Sequence, residues 1–199
     1  MNKAILVLGV IGIIAAGLVM ALTQAGGKTP PPSGGATSTP SVEWKSFVSE
    51  EFAIRFSYPA KYFLSEHDTG NGERRSHVFT LIEDTPQNRA LISGEIVGEG
   101  PPAITIQVFQ NNLDSYTTEE WIRGTNDSNF KLSSEGRIAS TAIDGEPALS
   151  YRWSGLYEGT TIAQARTDWV YAFSVTYLAI GDDIVQDFVA VRDSVRITD

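Results

Sequence analysis

The densest group of side chains that could do chemistry is Glu66-His67-Asp68, two carboxylates with an imidazole between them. Such groups bind metal ions or transfer protons. However, neighbouring residues on an extended chain point in different directions and rarely close around one ion. The surrounding stretch, residues 65–75, is polar and has glycines at its centre. We therefore interpret it as a solvated loop and predict no metal site there.

The rest of the chain offers few groups for catalysis. The second of its two histidines, His77, begins a predicted strand, so a general base would be one of the two histidines or a carboxylate. The chain contains no Gly-x-Ser-x-Gly motif and no glycine-rich phosphate loop before a helix. It has no cysteine, which excludes disulfides, thiolate nucleophiles and cysteine metal sites. We predict no catalytic residue, no cofactor and no bound metal.

A weaker signal is the concentration of aromatic side chains in the last third of the chain. These are Tyr151, Trp153, Tyr157, Trp169, Tyr171 and Tyr177. Tyrosine and tryptophan are favoured at binding surfaces because they combine apolar area with a polar group, but they also fill cores. If the domain has a binding face, we expect it where Arg152, Trp153 and Tyr157 surround a hairpin.

An apolar run begins at Ala4 and ends at Leu22, with no charged side chain inside it. A helix of this length spans roughly 28 Å, close to the hydrocarbon thickness of a bilayer. Lys3 lies before the run, so the positive-inside tendency places the N-terminus in the cytoplasm and the C-terminal domain outside. We predict a single-pass anchor over residues 1–23. The alternative is a signal peptide that is cleaved near Ala25, giving a secreted protein.

Residues 24–41 are rich in proline, glycine, serine and threonine, which is typical of a flexible linker. The predicted extracytoplasmic domain covers residues 42–199. It holds all 24 acidic residues and all but two of the basic residues. Its net charge is therefore more negative than the −9 of the whole chain. A nucleic-acid partner needs a basic surface, so we exclude one. The expected partners are the membrane, through Ala4 to Leu22, and another protein; the oligomeric state stays open.

Hydrophobic alternation predicts strands at residues 52–58, 77–82, 103–109 and 169–177. Two more, at 137–143 and 147–153, flank Asp144-Gly145, a tight hairpin signal. A further turn is predicted at residues 157–160, and the segment 161–166 follows it. Residues 90–97 are ambiguous.

Two helices are expected between and after these strands. Thr117 and Glu120 have the spacing of a capping box, and Gly124 is a natural stop. Residues 182–195 carry an apolar stripe at helical spacing. The sum is an α+β domain, an antiparallel β-sheet flanked by helices.

This order of elements resembles the PsbP-like family. Residues 52–59, an aromatic strand ending in Tyr58-Pro59, are similar to its opening strand. Residues 113–122, with Trp121, are similar to its central loop and helix, and residues 168–177 with the last helix to its closing elements. The resemblance implies an α/β/α sandwich and domains that bind other proteins or assist assembly. It implies no catalytic residues.

The sequence therefore predicts a membrane-anchored, extracytoplasmic module that binds or assembles proteins. Two alternatives stay open. A small-ligand receptor would have an enclosed apolar pocket of several hundred Å³. A carboxylate-dependent hydrolase would have two acids about 5–10 Å apart in one pocket.

Overall fold

The computed structural model describes residues 42–70 and 73–198. The predicted anchor at residues 1–23 and the predicted linker at residues 24–41 lie outside them. Within the described part of the chain, no helix is long and apolar enough to cross a membrane.

The described chain is mostly antiparallel β-structure with three α-helices. The strands are β1 Trp44–Ser49, β2 Ile54–Pro59, β3 Tyr62–Gly70, β4 Arg75–Glu83, β5 Ile104–Gln110, β6 Ala139–Ile143, β7 Glu146–Ser154, β8 Glu158–Ala165, β9 Trp169–Tyr177 and β10 Arg196–Ile197. The helices are α1 Pro86–Ser93, α2 Thr118–Gly124 and α3 Asp183–Ser194, with a short 3-10 helix at Phe130–Leu132. The predicted α+β class is confirmed at this level.

Seven strands form one sheet in the order β3-β4-β5-β9-β8-β7-β6. The central strand β9 shows why this sheet has two buried faces. Tyr171 and Phe173 point to one face, whereas Val170 and Ala172 point to the other, and all four are buried. Alternating side chains point to opposite faces of a strand, so β9 needs a covering layer on both sides.

The first face is covered by the three-stranded sheet β1-β2-β10 together with α3. Ile54, Phe56 and Tyr58 of β2 pack in this core, as the alternation in the sequence predicts. Phe188 and Val191 of α3 complete it. The hydrophobic core on this face is the larger of the two.

The second face is covered by α2 and the 3-10 helix. Trp121 and Ile122 of α2 are buried against Tyr151, Ala163 and Val170 of the sheet. The predicted capping box starts α2, because Thr117 accepts from the Glu120 N–H and Glu120 accepts from the Thr117 N–H. Helices therefore lie on both sides of the large sheet.

The structure corrects the prediction of a loop at residues 65–75. β3 continues to Gly70 and pairs with β4 over its full length, from Tyr62↔Glu83 to Gly70↔Arg75. Its second half is exposed at the sheet edge. Exposed edge strands lack the apolar alternation that marks a half-buried strand, so the pattern is typical of a loop.

Helix α1 occupies part of the stretch that the sequence left ambiguous. Thr85 accepts from the Asn88 N–H, Pro86 fills the first turn, and Gly94 ends the helix in the left-handed conformation. None of its residues is buried, so no apolar stripe marks it. The predicted turn at residues 157–160 is also displaced, because β8 begins at Glu158 and includes the buried Gly159.

Candidate functional site

A cleft that is open to solvent and has a volume of about 900 Å³ lies at one end of the large sheet. Several connections meet there. The lining residues come from the β5–α2 connection and the start of α2, the start of β7, the β8–β9 connection with the strand ends beside it, and the end of the small sheet. They include Asn111, Ser115 to Thr118, Glu146, Pro147, Gln164 to Trp169, Tyr171, Ala53, Ile197 and Thr198. We take this cleft as the candidate site.

Asn111 holds two of these connections together. It follows β5 and is only 2% exposed. Its Nδ2 donates to the carbonyl oxygens of Tyr116 and Arg166 at 3.1 and 2.9 Å, and its Oδ1 accepts from the Tyr116 N–H at 2.8 Å. Its own N–H donates to the Asp168 carbonyl at 2.7 Å. One buried side chain therefore fixes both the β5–α2 and the β8–β9 connections.

Gln164 performs the same task for the β6–β7 turn. This residue of β8 is 1% exposed. Its Nε2 lies 3.4, 3.2 and 3.1 Å from the carbonyl oxygens of Ile143, Glu146 and Pro147. Buried carbonyl groups without partners cost free energy, so this carboxamide stabilises the turn where it borders the cleft.

The start of α2 is attached to the sheet in a third way. The Thr118 hydroxyl accepts from the Ala165 N–H at 3.0 Å. Because Ala165 ends β8, this bond fixes the first residue of α2 beside the β8–β9 connection. All three connections are therefore held by specific hydrogen bonds, and the cleft is pre-formed.

Two residues on the rim have a left-handed backbone conformation without being glycine. Ala53 has φ of 49° and Ser115 has φ of 51°. This conformation costs roughly 1–2 kcal/mol for a residue with a side chain. Such outliers cluster at binding and active sites, where the surrounding structure holds them. Thr198 N–H donates to the Ala53 carbonyl at 2.9 Å, which is one of the contacts that hold Ala53.

The walls combine aromatic and charged groups. Tyr116 and Trp169 are half-buried, whereas Glu146 and Asp168 are exposed. Arg166 also lines the cleft, with its Nε 3.4 Å from Gln164 Oε1. Of the two acids, Glu146 begins β7 and Asp168 lies in the β8–β9 connection. This open, mixed surface differs from the enclosed apolar pocket expected of a small-ligand receptor.

Among the three residues that the sequence predicts as a binding surface, the structure places Arg152 and Trp153 on opposite faces of β7. Arg152 is exposed, whereas its neighbour Trp153 points to the α2 side of the sheet, where Nε1 donates to the Thr161 hydroxyl at 2.9 Å. Tyr157 lies in the turn after β7, and its hydroxyl donates to the Gly100 carbonyl at 2.8 Å. None of them lines the cleft. A binding role for them stays a prediction.

The Glu66-His67-Asp68 group lies on β3 rather than in a loop. Glu66 and Asp68 both face His77 of β4, at 3.3 Å to Nε2 and 2.8 Å to Nδ1. The hydrogen bond to His77 lowers the pKa of Asp68. The His77 ring stacks on Phe52, with centroids 4.6 Å apart. No group of described side chains is arranged to hold a metal ion.

Sequence reasoning missed Asn111 and Gln164. Gln164 did carry a signal, because it lies two residues after Ile162 in a strand and so shares its core-facing side. A polar side chain at such a position is normally hydrogen-bonded, but its partners come from β6 and β7, more than fifteen residues away. Asn111 gave no such signal, because it follows the strand predicted at residues 103–109 and lies in no predicted strand or helix.

The fold is similar to two solved structures. One is the solution structure of cyanobacterial PsbP (CyanoP) from Synechocystis sp. PCC 6803, with a TM-score of 0.48 and 13% identity, covering 84% of this chain and 99% of that chain. The other is a crystal structure from Bacteroides thetaiotaomicron, with a TM-score of 0.46 and 14% identity, covering 78% of this chain and 48% of that one. No protein-family model and no curated protein matches the sequence. Both similarities concern the fold alone.

Proposed function

We propose that the chain is a membrane-anchored, extracytoplasmic binding module that holds a partner protein in the cleft at the end of its large sheet. The observation that carries this proposal is the way the cleft is built. Its rim consists of connections between secondary-structure elements, and the buried amides of Asn111 and Gln164 fix them. Binding residues are often found on loops that a rigid scaffold positions.

The shape and lining of the cleft favour a polypeptide as the occupant. An open surface that combines aromatic rings such as Trp169 and Tyr116 with an arginine, Arg166, is typical of protein interfaces. A pre-formed rim also lowers the entropy that is lost on binding. The apolar run from Ala4 to Leu22 and the linker after it support a position close to the outer face of the membrane.

The proposal can be tested by site-specific photo-crosslinking in intact cells that make the full chain. A photoreactive amino acid is placed at Thr167, in the β8–β9 connection, or at Glu146, the first residue of β7, which are both exposed positions of the cleft. The matched controls are Ser140 and Leu178, exposed positions away from it. We expect both cleft positions to give an adduct with the same protein, and the controls to give none.

Adducts that form equally well from cleft and control positions would show that the cleft has no special role. If neither cleft position gives an adduct while the chain is folded and exported, the proposal of a protein occupant is wrong.

A further inference from the structure

The outer edge of β1 is an open sheet edge within the described part of the chain. β1 stands at the end of the order β1-β2-β10, so β2 is its one described neighbour. Alternate residues of an antiparallel strand direct their N–H and C=O groups to opposite sides. The Ala60 N–H donates to the Glu43 carbonyl, which places Glu43 among the residues that bond to the β2 side. The backbone groups of Trp44, Ser46 and Val48 therefore point to the open edge.

The far side of β2 gives independent support for this alternation. Ser57 lies opposite Ser46. Both backbone groups of Ser57 bond to the hydroxyl of Ser194, which accepts from the N–H at 2.8 Å and donates to the carbonyl at 3.0 Å. Since Ser57 directs its groups away from β1, Ser46 directs its own away from β2. Ser194 and β10 close that side of the small sheet, whereas β1 is open.

The side chains on β1 do not protect this edge. Trp44 is 44% and Val48 is 66% exposed. The one charged side chain of the strand, Lys45, donates to the Tyr62 carbonyl at 3.0 Å. By contrast, the open edge strand β3 of the large sheet carries Glu66, His67 and Asp68 in a row. Charged residues are a common means by which edge strands avoid pairing, and the one such residue of β1, Lys45, is bonded to the Tyr62 carbonyl.

We propose that two copies of this chain associate through β1, with the two strands antiparallel about a twofold axis at Ser46. In this register Trp44 lies opposite the partner's Val48 on the exposed face. By symmetry, Val48 lies opposite the partner's Trp44. Aromatic and β-branched residues are favourable cross-strand neighbours. Glu43 faces the partner's Ser49, so no two acids meet. Displacing the register by two residues either way removes both Trp–Val pairs.

A second copy fits this edge better than the chain's own N-terminal segment. Residues 24–41 contain repeated prolines and glycines. Proline cannot donate to a ladder and glycine weakens a strand, so this segment is a poor strand partner. The β1 edge is complementary to itself, as a twofold interface requires.

The test uses the full chain in a non-ionic detergent and exploits its lack of cysteine. Ser46→Cys places a single thiol on the proposed axis, where hydrogen-bonded partners have Cα atoms about 5.5 Å apart, within the range of a disulfide. The matched control is Ser140→Cys on β6, which is an edge strand of the large sheet. Under mild oxidation we expect the Ser46→Cys chain to form a covalent dimer at least about tenfold faster than the control.

Sedimentation of chains without introduced cysteine provides a second readout. Val48→Lys should raise the dimer dissociation constant about tenfold, because both Trp–Val pairs are lost. Leu178→Lys, at another exposed apolar residue, should leave it unchanged. Equal oxidation rates for the two cysteine variants, or a monomer at all concentrations in sedimentation, would overturn the proposal.

Discussion

Asn111 Nδ2 donates to the carbonyl oxygen of Arg166 at 2.9 Å and joins two connections that are far apart in sequence. We expect Asn111→Leu to lower the free energy of unfolding by about 3 kcal/mol, because the carbonyls of Tyr116 and Arg166 lose a buried donor. Chemical denaturation measures the loss. The adjacent exposed residue gives the control, and Asn112→Leu should change stability by less than about 0.5 kcal/mol. Equal effects of the two substitutions would show that the contact is unimportant.

The left-handed backbone of Ala53 predicts that a smaller side chain is stabilising there. Ala53→Gly removes the steric cost of the left-handed conformation. This gain in stability exceeds the loss that comes from the larger conformational entropy of glycine in the unfolded chain. We expect stability to rise by roughly 0.5–1 kcal/mol. Ala142→Gly, in strand β6, should have the opposite sign, because glycine in a strand has only the entropic cost. Thermal unfolding of both variants compares the two signs, and a loss at Ala53 would contradict this interpretation.

The Trp153 side chain packs so closely on Gly159 that no larger residue fits at position 159. A Cβ atom on Gly159 would lie 2.3 Å from Trp153 Cε2, much closer than atoms can approach. Gly159→Ala should therefore destabilise the domain by about 1–3 kcal/mol and change the tryptophan fluorescence. Gly181→Ala is the control, because a Cβ there has no described neighbour within 4 Å. If Gly159→Ala has wild-type stability, Trp153 does not pack as the structure shows.

The ion pair between Arg74 and Asp114 predicts a dependence of stability on pH. Arg74 donates from Nε and Nη2 to the two carboxylate oxygens at 2.7 and 2.8 Å, and this lowers the pKa of Asp114. The unfolded chain therefore binds the proton more readily. The contribution of Asp114 is present above the unfolded pKa, near 4, and is lost as pH falls through the lower folded pKa.

Denaturant titrations between about pH 5 and pH 2 measure this contribution. Asp114→Asn should show a shallower decline than the wild-type chain. Asp127→Asn, at an exposed acid that forms no ion pair with the described residues, should keep the wild-type slope. The same slope in all three chains would contradict the expectation for Asp114.

Much of the fold could be predicted from local patterns. The alternation in β9 and the capping box at Thr117 are each contained in a few consecutive residues, and the structure has both. β3 and α1 were missed because exposed elements lack an apolar face. The residues that build the cleft were missed for a different reason. The hydrogen bonds of Asn111 and Gln164 join segments that are distant in sequence. Which distant segments come together cannot be predicted from the local pattern of a single sequence.

If the chain holds its partner in the cleft, as we propose, a side chain that fills the cleft weakens binding. The direct measurement is the dissociation constant between the full chain and the protein captured by photo-crosslinking from Thr167. Thr167→Trp should fill the cleft and raise the dissociation constant at least about tenfold, with the unfolding temperature unchanged. Thr141→Trp, on β6 away from the cleft, should leave it unchanged. An unchanged dissociation constant for Thr167→Trp would contradict the claim.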